Sequence, residues 1–180
     1  MDYLEILKLP TYQITSDLDK WILAELHKTL ANVDEGLRSY AVDAAIKSGT
    51  DFIEKLSNRY LRRSRRRFRE NGLSADKISA YATIYEVLTT YLKMMAPFTP
   101  FVTEHIWIQL QAFSSENRDK KSESIHLQSW PFASVHYIDE QIMQEIALVR
   151  KTIKLALFIR SKNKIAVKQP LQRLELNIEN

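Results

Sequence analysis

Apolar residues recur every three or four positions along most of this chain, which is the spacing of α-helices that bury one face. Cap residues and helix breakers divide the pattern into about five helices. These helices begin or end near Ser16, Asn71-Gly72, Ser74, Pro97, Pro100 and Arg160. The sequence therefore predicts an all-α fold, a helix bundle in which the helices bury their apolar faces against one another.

The two ends of the chain follow other patterns. Residues 1–15 show no clear period, and we interpret them as a linker or a truncation remnant. Beyond Arg160, the alternating apolar residues Leu174, Leu176 and Ile178 predict a short strand-like tail. We therefore expect a helical domain over residues 16–160 and the start of a following region over residues 161–180.

The composition excludes several kinds of site. The 180 residues include no Cys, which excludes disulfides, thiolate metal sites and cysteine nucleophiles. Only three Gly are present and none belongs to a Gly-rich phosphate loop, which excludes the common nucleotide-binding folds. No apolar run approaches the roughly 20 residues that span a bilayer, and no signal peptide follows Met1. We expect a soluble cytoplasmic protein with no membrane partner.

Basic residues are concentrated in the second predicted helix. The formal net charge of the chain is +4, yet residues 55–70 include eight basic residues and one acid, a local charge of +7. Seven of the eight are Arg, whose planar guanidinium suits phosphate and carboxylate oxygens. Such a concentration indicates either an anionic partner such as RNA or neutralising carboxylates elsewhere in the fold.

Helical geometry divides these arginines into two groups. At about 100° per residue, five of them share the solvent side of the helix with Asn58. The five are Arg59, Arg62, Arg65, Arg66 and Arg69. We expect them to contact RNA phosphates and Asn58 to read a base edge. Arg63 and Arg67 fall nearer the core, where we expect them to bridge to carboxylates of a neighbouring helix; a solvated or protein-binding face is the alternative.

The other reactive residues form no recognisable site. The four His lack metal-ligand spacing, so we expect no metal. The three Trp lie mostly on apolar stripes, which predicts core packing rather than base stacking. No Ser has a His and an Asp at spacings that nominate a catalytic triad, so no catalytic residue is predicted.

Several segments resemble one known family in the same order along the chain. Residues 18–23 (Leu-Asp-Lys-Trp-Ile-Leu) are similar to the opening of the anticodon-binding domain of class I aminoacyl-tRNA synthetases. Residues 56–68 resemble the signature helix of the isoleucyl-tRNA synthetases in particular, since the valyl and leucyl enzymes lack this arginine run. Residues 95–101 (Met-Ala-Pro-Phe-Thr-Pro-Phe) and 165–171 (Ile-Ala-Val-Lys-Gln-Pro-Leu) match later segments. The resemblance covers about residues 16–176.

This resemblance implies that the intact enzyme is an isoleucine-tRNA ligase, which joins isoleucine to its tRNA with ATP and Mg²⁺ in a separate catalytic domain. The signatures His-Ile-Gly-His and Lys-Met-Ser-Lys-Ser do not occur here, so we expect this fragment alone to be non-catalytic and to hold no cofactor. The implied partners are the anticodon stem-loop of tRNA-Ile and the remaining domains of the same synthetase, with the protein as a monomer.

Two positions depart from the family pattern. The family usually has Trp where this chain has Arg59 and commonly Trp again at Arg69, so we expect charge to replace aromatic stacking there. Two alternatives stay open. One is the anticodon-binding domain of a sister class I synthetase such as the valyl enzyme, and the other is a helical protein-interaction bundle with a basic face.

Overall fold

The computed structural model describes residue 14 and residues 16–112 and 123–175. Its elements are α1 (Asp17–Arg38), α2 (Val42–Lys55), a π-helical segment (Leu56–Leu61), α3 (Arg62–Arg69), α4 (Ala75–Met95), α5 (Pro100–Ala112), two short 3-10 turns (Ile125–Leu127 and Val135–Tyr137) and α6 (Glu140–Lys162). The π-helical segment joins α2 to α3 without a break, so the described residues form five long helices and no strand. The prediction of an all-α fold is confirmed.

Two predicted cap residues start their helices as expected. The Ser16 hydroxyl accepts a hydrogen bond from the Leu18 backbone N–H at 3.2 Å, at the beginning of α1. The Ser74 hydroxyl accepts one from the Lys77 backbone N–H at 3.2 Å, at the beginning of α4. Each cap gives a partner to an N–H group that the first helical turn leaves without one.

Helix α1 is packed against both α2 and α4, and its buried side chains include Trp21, Ile22 and Leu26. Burying a side chain the size of Ile22 or Leu26 stabilises the fold by about 1.5–3 kcal/mol.

Helices α2 and α4 meet closely at Gly49, where an added Cβ would lie 2.5 Å from the Met95 Sδ. A larger residue at this position would therefore require the flexible Met95 side chain to move.

The π-helical segment corrects the register of the long helix that contains α2 and α3. The buried residues Phe52, Leu56, Tyr60 and Ser64 follow one another at intervals of four. In a pure α-helix each such step overshoots a full turn by about 40°, so three steps would move the last residue by about 120°. The wider π turn takes up this drift and keeps all four residues on the buried face.

The chain divides between Asp139 and Glu140 into two compact units. The second unit begins with α6, whereas the sequence pattern placed this helix in a domain ending at residue 160. That boundary stays a prediction. Each helix of the described ranges is too short, too polar or too highly charged to span a bilayer.

The tail after α6 is turned rather than extended. The Arg160 guanidinium donates hydrogen bonds to the carbonyl oxygens of Ala166 and Gln169, each at 2.9 Å. Leu174 is not in a strand, and the rest of the predicted strand, at residues 176–178, lies outside the described residues. The described part of the tail therefore differs from the strand-like prediction, because no second strand pairs with it there.

Candidate nucleic-acid interface

Helix α3 presents a row of arginines to solvent. Its buried side is centred on Ser64, with Arg67 and Phe68 half-buried beside it. On the opposite side, five exposed arginines occupy an arc of roughly 160°. These five residues, named here the arginine face, are Arg62, Arg63, Arg65, Arg66 and Arg69.

The arginine face has no carboxylate partner among the residues that the structure describes. The neighbouring acid Glu70 instead accepts a hydrogen bond from the Ser74 hydroxyl at 3.1 Å. From Arg62 to Arg69 the helix rises roughly 10 Å. Five guanidiniums within that length, without a carboxylate partner in the described ranges, form a positive surface that attracts anions.

Four of the five arginines expected on the solvent side belong to the arginine face, and Asn58 is exposed on the π-helical segment just before it. Arg59 differs from this expectation. It is half-buried and engaged in an interaction of its own, so it lies at the margin of the surface.

Arg63 also differs from expectation, because it is exposed and bridges to no carboxylate in the described part of the chain. The reason lies in how α3 packs, with α4 covering only one side of it. Relative to Ser64, Arg67 lies roughly 60° around the helix and Arg63 roughly 100° around it in the same direction. Only Arg67 is close enough to the packed side to reach the neighbouring helices.

Arg67 is held by carboxylates on two other helices. Its Nη1 and Nη2 donate to Oδ1 and Oδ2 of Asp19 on α1, both at 2.7 Å. Its Nε donates to Oδ2 of Asp76 on α4 at 2.8 Å. Such two-pronged pairs fix geometry as well as adding energy. Hydrogen bonding to Asp19 raises the pKa of Arg67, with burial opposing and Asp76 adding to the rise.

Asp19 is the acceptor at the centre of this network, and it is completely buried. Besides the two bonds from Arg67, its oxygens accept hydrogen bonds from the Tyr60 and Ser79 hydroxyls, each at 2.8 Å. A buried carboxylate is tolerated when its lone pairs are satisfied in this way. Burial, and next the charge of Asp19, raise the pKa of Tyr60. The network therefore fixes the position of α3 on α1 and α4.

The sequence analysis gave Asp19 no site role and missed it as the partner of Arg67. A usable signal was present, because Asp19 lies three and seven residues before the buried Ile22 and Leu26. An acid on the apolar side of a helix requires a cation or hydrogen-bond donors from elsewhere in the fold.

A second buried acid neutralises the first basic residue of the cluster. Glu25 accepts hydrogen bonds from the Lys55 ammonium at 2.7 Å and from the Trp21 indole N–H at 3.1 Å. The basic residues between 55 and 70 thus have two different roles. Lys55 and Arg67 balance internal acids, whereas the arginine face is exposed and pairs with no carboxylate among the described residues.

One histidine and two tryptophans lie inside the fold, whereas His105, His126 and His136 are exposed and Trp130 is half-buried. His27 is buried, and its Nδ1 accepts a hydrogen bond from the Ser134 backbone N–H at 3.2 Å. Burial lowers the pKa of His27, with the charge of Glu86 opposing. Trp21 and Trp107 are buried in the core. In the described ranges, no group of three or more His, Cys, Asp or Glu is placed to hold a metal ion.

Comparison with known proteins identifies the family. Residues 19–176 match the family model described as the anticodon-binding domain of tRNA ligase. The chain is similar to isoleucine–tRNA ligases of Dehalococcoides mccartyi (strain CBDB1), at 42% identity over 160 residues, of Thermobifida fusca (strain YX), at 40% over 156, and of Clostridium novyi (strain NT), at 38% over 164. These alignments cover 89%, 87% and 91% of this chain.

The same alignments cover only 16%, 14% and 15% of those three relatives, so the chain corresponds to a small part of each. The family match, by contrast, extends over most of the chain. The five helices, the arginine face and this match agree, and the chain belongs to the family of anticodon-binding domains of tRNA ligases.

Proposed function

We propose that this chain binds the anticodon stem-loop of an isoleucine tRNA, as the anticodon-binding part of an isoleucine–tRNA ligase. The observation that carries the proposal is the arginine face, five exposed guanidiniums with no carboxylate partner among the described residues. The choice of tRNA is supported by the relatives at 38% to 42% identity, which are isoleucine–tRNA ligases.

The arginine face supplies affinity through phosphates. If each of its five guanidiniums neutralises one phosphate of a single-stranded loop, the logarithm of the binding constant falls with the logarithm of salt at a slope of about −3.5. Raising the salt from 50 to 200 mM then weakens binding roughly 100-fold. Phosphate contacts of this kind fix the orientation of the RNA but do not read its sequence. Arg59, at the margin of the surface, is proposed as a further contact to the backbone.

Asn58 is the proposed base reader. It is exposed on the π-helical segment beside the arginine face. Its amide offers both hydrogen-bond donors and an acceptor, whereas a guanidinium only donates. Bases splayed out from a loop expose both kinds of group, so an amide discriminates among them better than an arginine does.

Within the intact enzyme, the role of this part is to position the tRNA. Holding the anticodon arm fixes the distant acceptor end against the catalytic domain, and such positioning lowers the entropic part of the barrier. We assign ATP and Mg²⁺ to that other domain. The described residues of this chain contain no cluster suited to a metal ion, and no reaction step is assigned to them. We further propose that the enzyme acts as a monomer in the cytoplasm.

The proposal is tested by measuring the affinity of the full 180-residue chain for three labelled RNAs by fluorescence anisotropy. The RNAs are the isoleucine anticodon stem-loop, the valine anticodon stem-loop and a blunt duplex of equal length. We expect the isoleucine stem-loop to bind most tightly. Tighter binding of the valine stem-loop would assign the chain to a sister enzyme, and equal binding of all three would contradict anticodon recognition.

A pair of charge-matched variants locates the binding surface. Arg66→Ala removes one charge from the arginine face, and Lys47→Ala removes one from an exposed position on α2, in the same long helix. We expect only Arg66→Ala to weaken binding of the isoleucine stem-loop. Equal effects of the two variants would mean that the net charge of the chain, rather than the arginine face, determines binding.

A further inference from the structure

A cavity of about 690 Å³ lies at the end of the arginine face, where α3 gives way to the loop that leads into α4. Its volume falls within the range of sites that hold small organic groups. Arg69 lines the cavity and belongs to the arginine face, so the two surfaces are continuous. An RNA whose backbone follows α3 therefore reaches the mouth of this cavity.

Two aromatic rings line the cavity. Phe68 and Tyr81 are both half-buried and meet edge to face, with ring centroids 5.1 Å apart and planes 68° apart. In such a pair, one ring presents its edge to the other and keeps both of its own faces clear of its partner. An aromatic ring that borders a cavity offers a surface on which an unpaired nucleobase stacks.

The loop beside these rings offers open backbone groups. Residues 71–73 use neither their N–H nor their C=O groups in a hydrogen bond with another described residue. Gly72 has a φ of 80°, which favours glycine, and a Cβ added there would meet nothing within 4 Å. The Asn71 side chain is exposed at the same loop. Donors and acceptors therefore surround the cavity beside its aromatic wall.

Charges of both signs occur around the cavity. Lys77 is buried, and its ammonium donates to the Glu70 carbonyl oxygen at 2.7 Å. Glu70 also lines the cavity. Its carboxylate accepts a hydrogen bond from the Ser74 hydroxyl at 3.1 Å, and its remaining lone pairs repel a phosphate but accept hydrogen bonds from amino groups of a base. This mixture suits a polar, uncharged aromatic ring better than a further phosphate.

We propose that this cavity takes the base of one unpaired nucleotide, from the same RNA loop whose phosphates lie along the arginine face. The base stacks on the ring of Phe68 or Tyr81, and its edge is bound by the loop 71–73. This inference rests on the proposed function, since it requires an RNA on α3. It assigns base recognition to a second place, at the opposite end of the arginine face from Asn58.

The test is an abasic scan with the full chain. Isoleucine anticodon stem-loops that each lack one loop base are compared with the intact RNA by fluorescence anisotropy at fixed salt. Stacking of one base on an aromatic ring is worth about 1–3 kcal/mol, so removal of the bound base is expected to weaken binding roughly 5- to 150-fold. Phe68→Leu is expected to weaken binding of the intact RNA and to lose sensitivity to that one abasic position. Its salt slope stays unchanged because no charge is removed.

The matched control is Phe101→Leu, the same chemical change at a residue of α5 that is 91% exposed and does not line the cavity. It is expected to bind like the parent. Asn71→Ala serves as a second variant at an exposed loop position and is expected to weaken binding of the intact RNA but not of the critical abasic RNA.

Two results would overturn the base site. One is a scan in which no abasic position weakens binding more than about twofold. The other is parent-like binding by both Phe68→Leu and Asn71→Ala. If the parent chain still binds with a steep salt dependence, the proposed function survives either result. If the parent binds no stem-loop at all, both proposals fail.

Discussion

Replacing Arg67 with methionine tests whether this arginine belongs to the core or to the RNA-binding surface. Arg67→Met keeps a long apolar stem but removes the guanidinium that donates to Asp19 and Asp76. Among the residues that the structure describes, Asp19 then keeps two side-chain donors, the Tyr60 and Ser79 hydroxyls. The substitution therefore leaves an uncompensated charge in the interior.

The expected cost follows from the burial of the two partners. The Asp19 side chain is 0% exposed and that of Arg67 is 14% exposed. Removing one partner of such a buried pair costs about 3–5 kcal/mol. The Asp76 side chain is 46% exposed, so its loss adds only about 0–1 kcal/mol. A domain of this size has a free energy of unfolding of about 5–15 kcal/mol, so the variant loses a large part of its stability.

Urea and thermal unfolding followed by circular dichroism measure this loss. For a chain of this length, 3–5 kcal/mol lowers Tm by roughly 6–20 °C. The control is Arg66→Met, the same change at the adjacent exposed arginine, which is expected to alter the free energy of unfolding by no more than about 0.5 kcal/mol. Equal stability of the two variants would refute the assignment of Arg67 to the core.

Three further predictions concern RNA binding and pH. Arg62→Ala and Arg66→Ala should each reduce the salt slope of stem-loop binding by roughly 0.7–0.9, and parent-like slopes would remove them from the interface. Burial lowers the folded-state pKa of His27, so the free energy of unfolding should fall as pH drops below 6.5, and urea titrations of His27→Gln should show a weaker fall. Burial raises the pKa of Tyr91 to about 12, so stability should decline as pH rises from 10 towards 12, and an equal decline in Tyr91→Phe would contradict this.

The helices could be predicted from the sequence because their signals are local. Apolar spacing, the caps Ser16 and Ser74 and the break at Pro97 act within a few residues, and the structure uses both caps. The concentration of arginine between residues 59 and 69 is also a local signal, because it is read from neighbouring positions in the sequence. Fold class and the existence of a basic helix therefore followed from the sequence.

The partners of individual arginines could not be predicted because they depend on tertiary contacts. Arg67 lies 48 residues from Asp19, and no helical period connects the two. Arg63 has the same chemistry but lies outside the contact between α3 and α4, and is exposed. A helical wheel describes one helix, whereas the neighbours decide which side of it is covered.

The π-helical segment was missed for a different reason. The sequence analysis places the side chains of this helix at a fixed angle of about 100° per residue, which assumes a regular α-helix, whereas residues 56–61 are π-helical. Four buried residues spaced at intervals of four indicate a local widening, because a regular α-helix would turn the last of them off the buried face. The spacing can be read from the sequence, but the burial of all four residues is known only from the structure.

The salt dependence of binding tests the central claim most directly. The dissociation constant of the full chain for the isoleucine anticodon stem-loop is measured between 50 and 200 mM salt. Five guanidiniums on five phosphates predict a slope of about −3.5, a roughly 100-fold loss of affinity over this range. A slope near zero, with affinity unchanged between the two salt concentrations, would show that the arginine face does not bind the RNA backbone.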